Sequence, residues 1–153
     1  MKELESVIKT QQKLPVSRAT IINVMFSNNW VKDELIGVLK PYDLSLEQFN
    51  VLRILRGQKG QPINLQDIQE RMFNKMSNTT RLVDKLILKG FVQRTICKNN
   101  RRKVEIEITD SGLKTLKEID PKIDTAEQQI TTNLNDSELQ QLNTLLIKLR
   151  TQN

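Results

Sequence analysis

Histidine is absent from these 153 residues, and Cys97 is the one cysteine. Without imidazole the chain lacks the commonest general base and the commonest metal ligand, and a lone thiol supplies neither an internal disulfide nor a zinc site. No Gly-rich phosphate loop occurs among the five glycines, and no apolar run approaches the roughly twenty residues of a membrane span. The opening MKELESVIK is charged throughout, unlike a signal peptide. The carboxylate pairs that remain, Asp33 with Glu34 and Glu105 with Glu107, read as solvated helix and strand faces. These absences argue against an enzyme, a cofactor, a metal and membrane insertion, and point to a cytoplasmic chain.

What is present is length for one domain and a localised positive charge. One domain spanning 1–153 can bury roughly two-thirds of its unfolded surface, so a second core is not required. Residues 71–104 hold ten Lys and Arg against a single acid, Asp84, a net +9, so the rest of the chain carries −3 of the overall +6. Charge concentrated in this way argues for a polyanionic partner on one face.

The basic stretch is also the most patterned. Drawn as a helix, Asn74 to Lys89 brings Met76, Thr79, Val83, Leu86 and Ile87 into one apolar stripe and sets Asn78, Arg81 and Lys85 on the opposite side. Before it, INLQDIQERMF reads as a shorter helix capped by Asn64, with Asp67 at the third helical position and Ile63 able to staple onto Ile68. Two short helices, the second presenting amide, guanidinium and ammonium groups from one face, predict a helix-turn-helix. Gly90 is placed to stop the second helix. Beyond it FVQRTIC and VEIEIT alternate as two strands, joined by KNNRRK, whose Lys98, Arg101, Arg102 and Lys103 have no acid among them. A basic hairpin of this kind is a wing.

On the stretches SNTTRLVDKLILKGFVQR and NNRRKVEIEITDSG the chain resembles the MarR (multiple antibiotic resistance regulator) family of winged-helix repressors, in which a wing with Asp-x-Arg leads through a strand into Leu-Thr-x-x-Gly. The resemblance aligns the wing-tip arginine with Arg102 and puts Asn100 where the family has Asp, so a carboxylate that would hold the arginine is missing. An Asn carbonyl can still accept a hydrogen bond there. The resemblance covers nearly the whole chain. It implies a mainly α fold with a small β-hairpin: N- and C-terminal dimerisation helices at 1–40 and 113–153 around a winged helix-turn-helix at 44–112. It further implies a homodimer on double-stranded DNA, acting as a repressor released by a small, aromatic effector.

The flanks fit that plan. Residues 1–14 form a polar lead-in ending at Pro15. From Ser17 to Lys40 the apolar residues Ile21, Met25, Phe26, Val31, Leu35 and Leu39 cover more than one helix face, so something beyond this domain must cover the excess. Pro41 should end that helix. Ser45 with Gln48 forms a capping box for the next, where Leu44 can staple onto Phe49, and Gly57 closes it. Thr109 should cap a helix carrying Leu113, Leu116, Ile119, Ile123, Ala126 and Ile130, with a kink or break near Glu118 caused by Pro121. The last helix, capped by Asn135 and Glu138, repeats Leu139, Leu142, Leu146 and Leu149 at coiled-coil spacing, two heptads that need a partner.

The candidate DNA-binding residues are therefore Ser77, Asn78, Thr80, Arg81 and Lys85 on the helix-turn-helix and Arg101, Arg102 and Lys103 on the wing. For Ser77 and Asn78 helix capping is an equal alternative to base contact, and for the basic residues the bland alternative is a solvated face. Phe26, Trp30 and Phe49 are candidates for an effector pocket, with core packing as the alternative. Leu139, Leu142, Leu146 and Leu149 are candidates for the dimer interface. Cys97, at the foot of the wing, reads as an ordinary strand residue rather than a redox switch. A second class of function, a winged helix for protein contact or sequence-tolerant architectural binding, would be separated from regulation by the ratio of specific to non-specific affinity at fixed salt.

Overall fold

The computed structural model describes residues 4–96, 99–100 and 104–151. A single turn, α1 (Leu4–Val7), precedes the long α2 (Val16–Leu39), which starts after Pro15 and gives way to a short 3-10 turn, Lys40–Tyr42. Next come α3 (Leu46–Gly57), α4 (Leu65–Arg71) and α5 (Thr79–Leu88). The hairpin strands β1 (Val92–Ile96) and β2 (Val104–Ile108) follow, then α6 (Asp110–Thr131) and α7 (Asp136–Arg150). No helix among the described residues is long and apolar enough to cross a membrane.

Local chemistry sets most helix starts. Ser45 with Gln48, Asn64 with Asp67 and Asn135 with Glu138 each form a reciprocal capping box, and the Thr109 hydroxyl accepts from the Gly112 amide. At the end of α5, Gly90 takes φ +74°. Its amide donates to Ile87 O (2.9 Å) and the Phe91 amide to Leu86 O (3.0 Å), a Schellman ending that satisfies two terminal carbonyls.

Those helices close over one core. Leu39, Val51, Leu52, Ile68, Val83, Leu86, Ile106, Leu116 and Ile119 are all shut off from solvent, each contributing roughly 1.5–3 kcal/mol by its burial. The strands pair antiparallel with Val92 opposite Ile108, Arg94 opposite Ile106 and Ile96 opposite Val104.

Four features differ from the expectation. Helix α5 begins at Thr79, not Asn74, and Met76 lies outside the apolar stripe at 91% exposure. The cause is side-chain competition for the backbone: Asn74 Oδ1 accepts from the Met76 amide, and Asn78 Oδ1 accepts from the Arg81 amide as the N-cap. Helix α6 runs unbroken through Pro121. A proline costs about 3 kcal/mol inside a helix, but here Leu116, Ile119, Ile123 and Ala126 are buried on both sides of it. The Arg56 guanidinium of α3 also grips the Asp120 carboxylate with two bonds, 2.6 and 3.1 Å. Ile63 exchanges backbone hydrogen bonds with Ile106 (3.1 and 2.8 Å), adding a third extended segment to the hairpin. Finally, Phe49 is a core residue, 6% exposed.

Candidate nucleic-acid interface

Helix α5 is strongly two-sided. Thr79, Val83 and Leu86 are buried against the core, while Thr80, Arg81, Asp84, Lys85 and Leu88 are exposed. Arg81 and Lys85 sit one turn apart on the open side. The intervening acid is neutralised, because the Arg94 guanidinium of β1 donates to Asp84 Oδ1 at 2.8 Å. That pair offsets the one carboxylate of α5 and ties the helix to the foot of the wing. Asp84 stood out in sequence as the lone acid of the basic stretch, yet nothing in the sequence matched it to Arg94.

Between α5, the end of α2 and the start of α3 lies an open cleft of about 900 Å³, with Lys40, Arg81, Lys85 and Lys89 against Asp43 and Glu47. Lys89, in the last turn, donates to the Asp43 carbonyl (2.6 Å) and also bonds the Asp43 carboxylate. Asp43 reaches this position through a left-handed backbone, φ 51°. The hydrogen bond and charge of Lys89 hold the Asp43 carboxyl below its ordinary value against an opposing desolvation, with a lesser contribution from the charge of Lys85.

A depressed carboxylate contributes stability above its unfolded value, and that contribution is lost as pH falls through the folded one. Asp43→Asn should therefore lower the melting temperature at neutral pH. The difference from the native protein should shrink below about pH 4 and with added salt. Equal melting temperatures at pH 7 would remove the pair from the account of stability.

The other candidates are distributed as follows. Asn78 is exposed and its Oδ1 is committed to capping. Ser77 Oγ is enclosed and has no hydrogen-bond partner among the described residues. Arg101, Arg102 and Lys103, and Cys97, lie outside the described residues.

Phe26 and Trp30 meet in a shallow cleft of about 290 Å³ with Leu4, Val7, Asn23 and Ser27. Phe49 lies apart from them, with the Arg53 guanidinium 5.7 Å from its ring centre. A larger, mostly apolar cleft of about 700 Å³ opens instead between α2 and α7, where Val24, Val31 and Leu35 face Leu142 and Leu146, closed off by Leu46 and Phe73. Sequence periodicity assigned the leucines of α7 to a seam and carried no sign of this second role. Helix α7 has no buried residue, and α2 buries only Leu39.

A family model described as the MarR family matches residues 44–104, which run from the start of α3 into the second strand of the wing. That stretch is a MarR-family winged helix. Among curated relatives, the HTH-type transcriptional regulator YfiV of Bacillus subtilis is 36% identical over 72 residues, 47% of this chain and 44% of YfiV. The chain spans about half the length of the curated relatives it matches, 44% for YfiV and 58% for SarZ of Staphylococcus haemolyticus.

Solved structures extend the likeness to nearly the whole MarR fold. A mutant Escherichia coli MarR complexed with operator DNA superposes with a TM-score of 0.76 at 24% identity, over 98% of this chain and 100% of that one. Bordetella bronchiseptica BpsR, whose DNA binding is regulated by 6-hydroxynicotinic acid, gives a TM-score of 0.79 at 18% identity over 93% and 100%. At these identities the likeness establishes the fold, including long terminal helices around a winged helix.

Proposed function

We propose that this chain is a cytoplasmic, homodimeric transcriptional regulator that binds a pseudo-palindromic DNA duplex, acts as a repressor and is released by a small-molecule effector. The observation that carries the reading is the outer face of α5, where Thr80, Arg81 and Lys85 are exposed and the neighbouring acid is paired away. In the E. coli MarR complex the partner is operator DNA, and the same class of partner is proposed here. A two-fold dimer laying one such helix into each of two successive major grooves needs half-sites about 10 bp apart. Selection of bound sequences from a random duplex pool tests this: an inverted repeat at that spacing is expected, and recovery of no preferred sequence would overturn it in favour of architectural binding.

The dimer is supported by surfaces the chain cannot cover alone: Ile21, Met25, Phe26, Trp30 and Ile36 on α2, and Leu142, Leu145, Ile147 and Leu149 on α7, are exposed. Light scattering should give twice the 17.8 kDa chain mass; a folded monomer at micromolar concentration would refute it. For the effector, the cleft between α2 and α7 fits better than the Phe26–Trp30 cleft, because it is larger and reaches Phe73 beside the helix-turn-helix turn. A ligand there acts only if it binds one spacing of the two α5 helices more tightly than the other. Small aromatic acids are the first compounds to test, since BpsR responds to one.

A further inference from the structure

We infer that Gln69 is a positioning residue for DNA recognition, fixing the N-terminal end of α5 so that its loss costs discrimination between duplexes rather than stability. The inference rests on the DNA-binding role proposed above. Its starting point is the turn between α4 and α5, which past the buried Met72 has little apolar anchorage: Phe73 is 54% exposed and Met76 nearly free. Side chains hold it instead. Asn50 of α3 accepts from the Phe73 amide (3.0 Å), and Lys75 Nζ donates back to Glu70 O (2.5 Å). Gln69 does more than either, because it uses both ends of its amide. Its Nε2 donates to Lys75 O at 2.7 Å, in the middle of the turn, while its Oε1 accepts from the hydroxyl of Thr79, the buried first residue of α5.

A planar amide carries its donor and acceptor at a fixed separation, so the two bonds set where α5 begins relative to the turn. The far end of the helix is fastened independently by Val83, Leu86 and the Schellman ending at Gly90. Only the near end, which carries Thr80 and Arg81, depends on Gln69 and the Asn78 cap. A guanidinium that reads a base edge with two bonds tolerates little lateral shift. Loosening that end therefore falls on recognition, while the core residues beneath are untouched.

The test measures Gln69→Leu, Thr79→Val, their double variant and Thr79→Ser on the selected duplex, a single-base variant of it and an unrelated duplex, at fixed salt. Thermal melting is followed in parallel. Each of the first two should lower the ratio of specific to unrelated affinity by roughly tenfold, the scale of one hydrogen bond. The double variant should fall no further than either single one, and Thr79→Ser, which keeps the hydroxyl, should retain the native ratio. Additive losses in the double variant would overturn the inference, as would equal weakening on all duplexes or a melting temperature that drops together with the ratio. Native protein that prefers no duplex would defeat the DNA-binding role itself, and this inference with it. Native discrimination that survives in Gln69→Leu defeats the inference alone.

Discussion

Gly112→Ala is expected to destabilise the fold by about 3 kcal/mol, at the upper end of what one overpacked methyl costs in a rigid setting. A Cβ on Gly112 would lie 2.4 Å from Phe91 O and 2.7 Å from Ile108 Cγ1. Neither neighbour can yield cheaply. Phe91 O is a backbone atom that accepts the Thr109 amide at 3.0 Å, and the Thr109 hydroxyl donates to Gly90 O at 2.6 Å. The start of α6 is thus clamped onto the end of α5, and glycine is what lets the two backbones approach. At fixed protein concentration, thermal and urea unfolding should show the loss as a melting temperature lower by roughly 10 °C for a chain of this size. Gly57→Ala is the control, since a Cβ there meets nothing and should be neutral or slightly stabilising. A Gly112→Ala protein that melts within a degree or two of the native one would show that the clamp can relax.

Arg81→Ala carries the largest expected effect on binding. Its guanidinium can reach a guanine edge with both arms, and losing such a contact costs about 1–3 kcal/mol per half-site, relaxing the preference at one position of each. Lys85, one turn further on, is a point charge suited to phosphate, so Lys85→Ala should weaken all sequences alike and reduce the salt slope by about one. Arg102→Ala, at the position aligned with the family's wing arginine, should likewise weaken binding with little change in sequence preference beyond A·T against G·C. Affinities on matched and single-base-changed duplexes across a salt series separate these outcomes. If Arg81→Ala kept the full preference while Lys85→Ala lost it, the two roles would have to be exchanged.

The legible parts of the chain were those decided within a few residues. Ser45 with Gln48, Asn64 with Asp67, Thr109, and Asn135 with Glu138 announce helix starts because the capping partners are three residues apart. Alternation marked out the two strands, while their register came from the fold. Periodicity misled at Met76, where the apolar spacing continues into a turn that Asn74 and Asn78 hold open. It also overweighted Pro121, because the burial of α6 on both sides of the proline is not visible in its own sequence. Residue patterns gave the helix-turn-helix and the wing, and the family resemblance their arrangement with the terminal helices, but neither gave the pairings that orient α5. Arg94 with Asp84, Lys89 with Asp43 and Gln69 with Thr79 join residues 10 to 46 positions apart, and clefts lined by α2 and α7 exist only once those helices meet.

The Ile63–Ile106 bridge bears on how the domain opens. An isolated two-stranded hairpin is marginal in water, and a wing built that way would exchange its amide protons early and alone. Here the middle of β2 is bonded in both directions to the residue just before the Asn64 cap of α4, and Ile106 is fully enclosed. Detaching β2 at that point requires breaking its bonds to the chain at the start of the first helix of the helix-turn-helix. The base of the wing and the reading head then form one cooperative unit. Deuterium uptake at Ile63, Ile106 and the α5 amides should rise together, with the free energy of the whole unit rather than that of a hairpin.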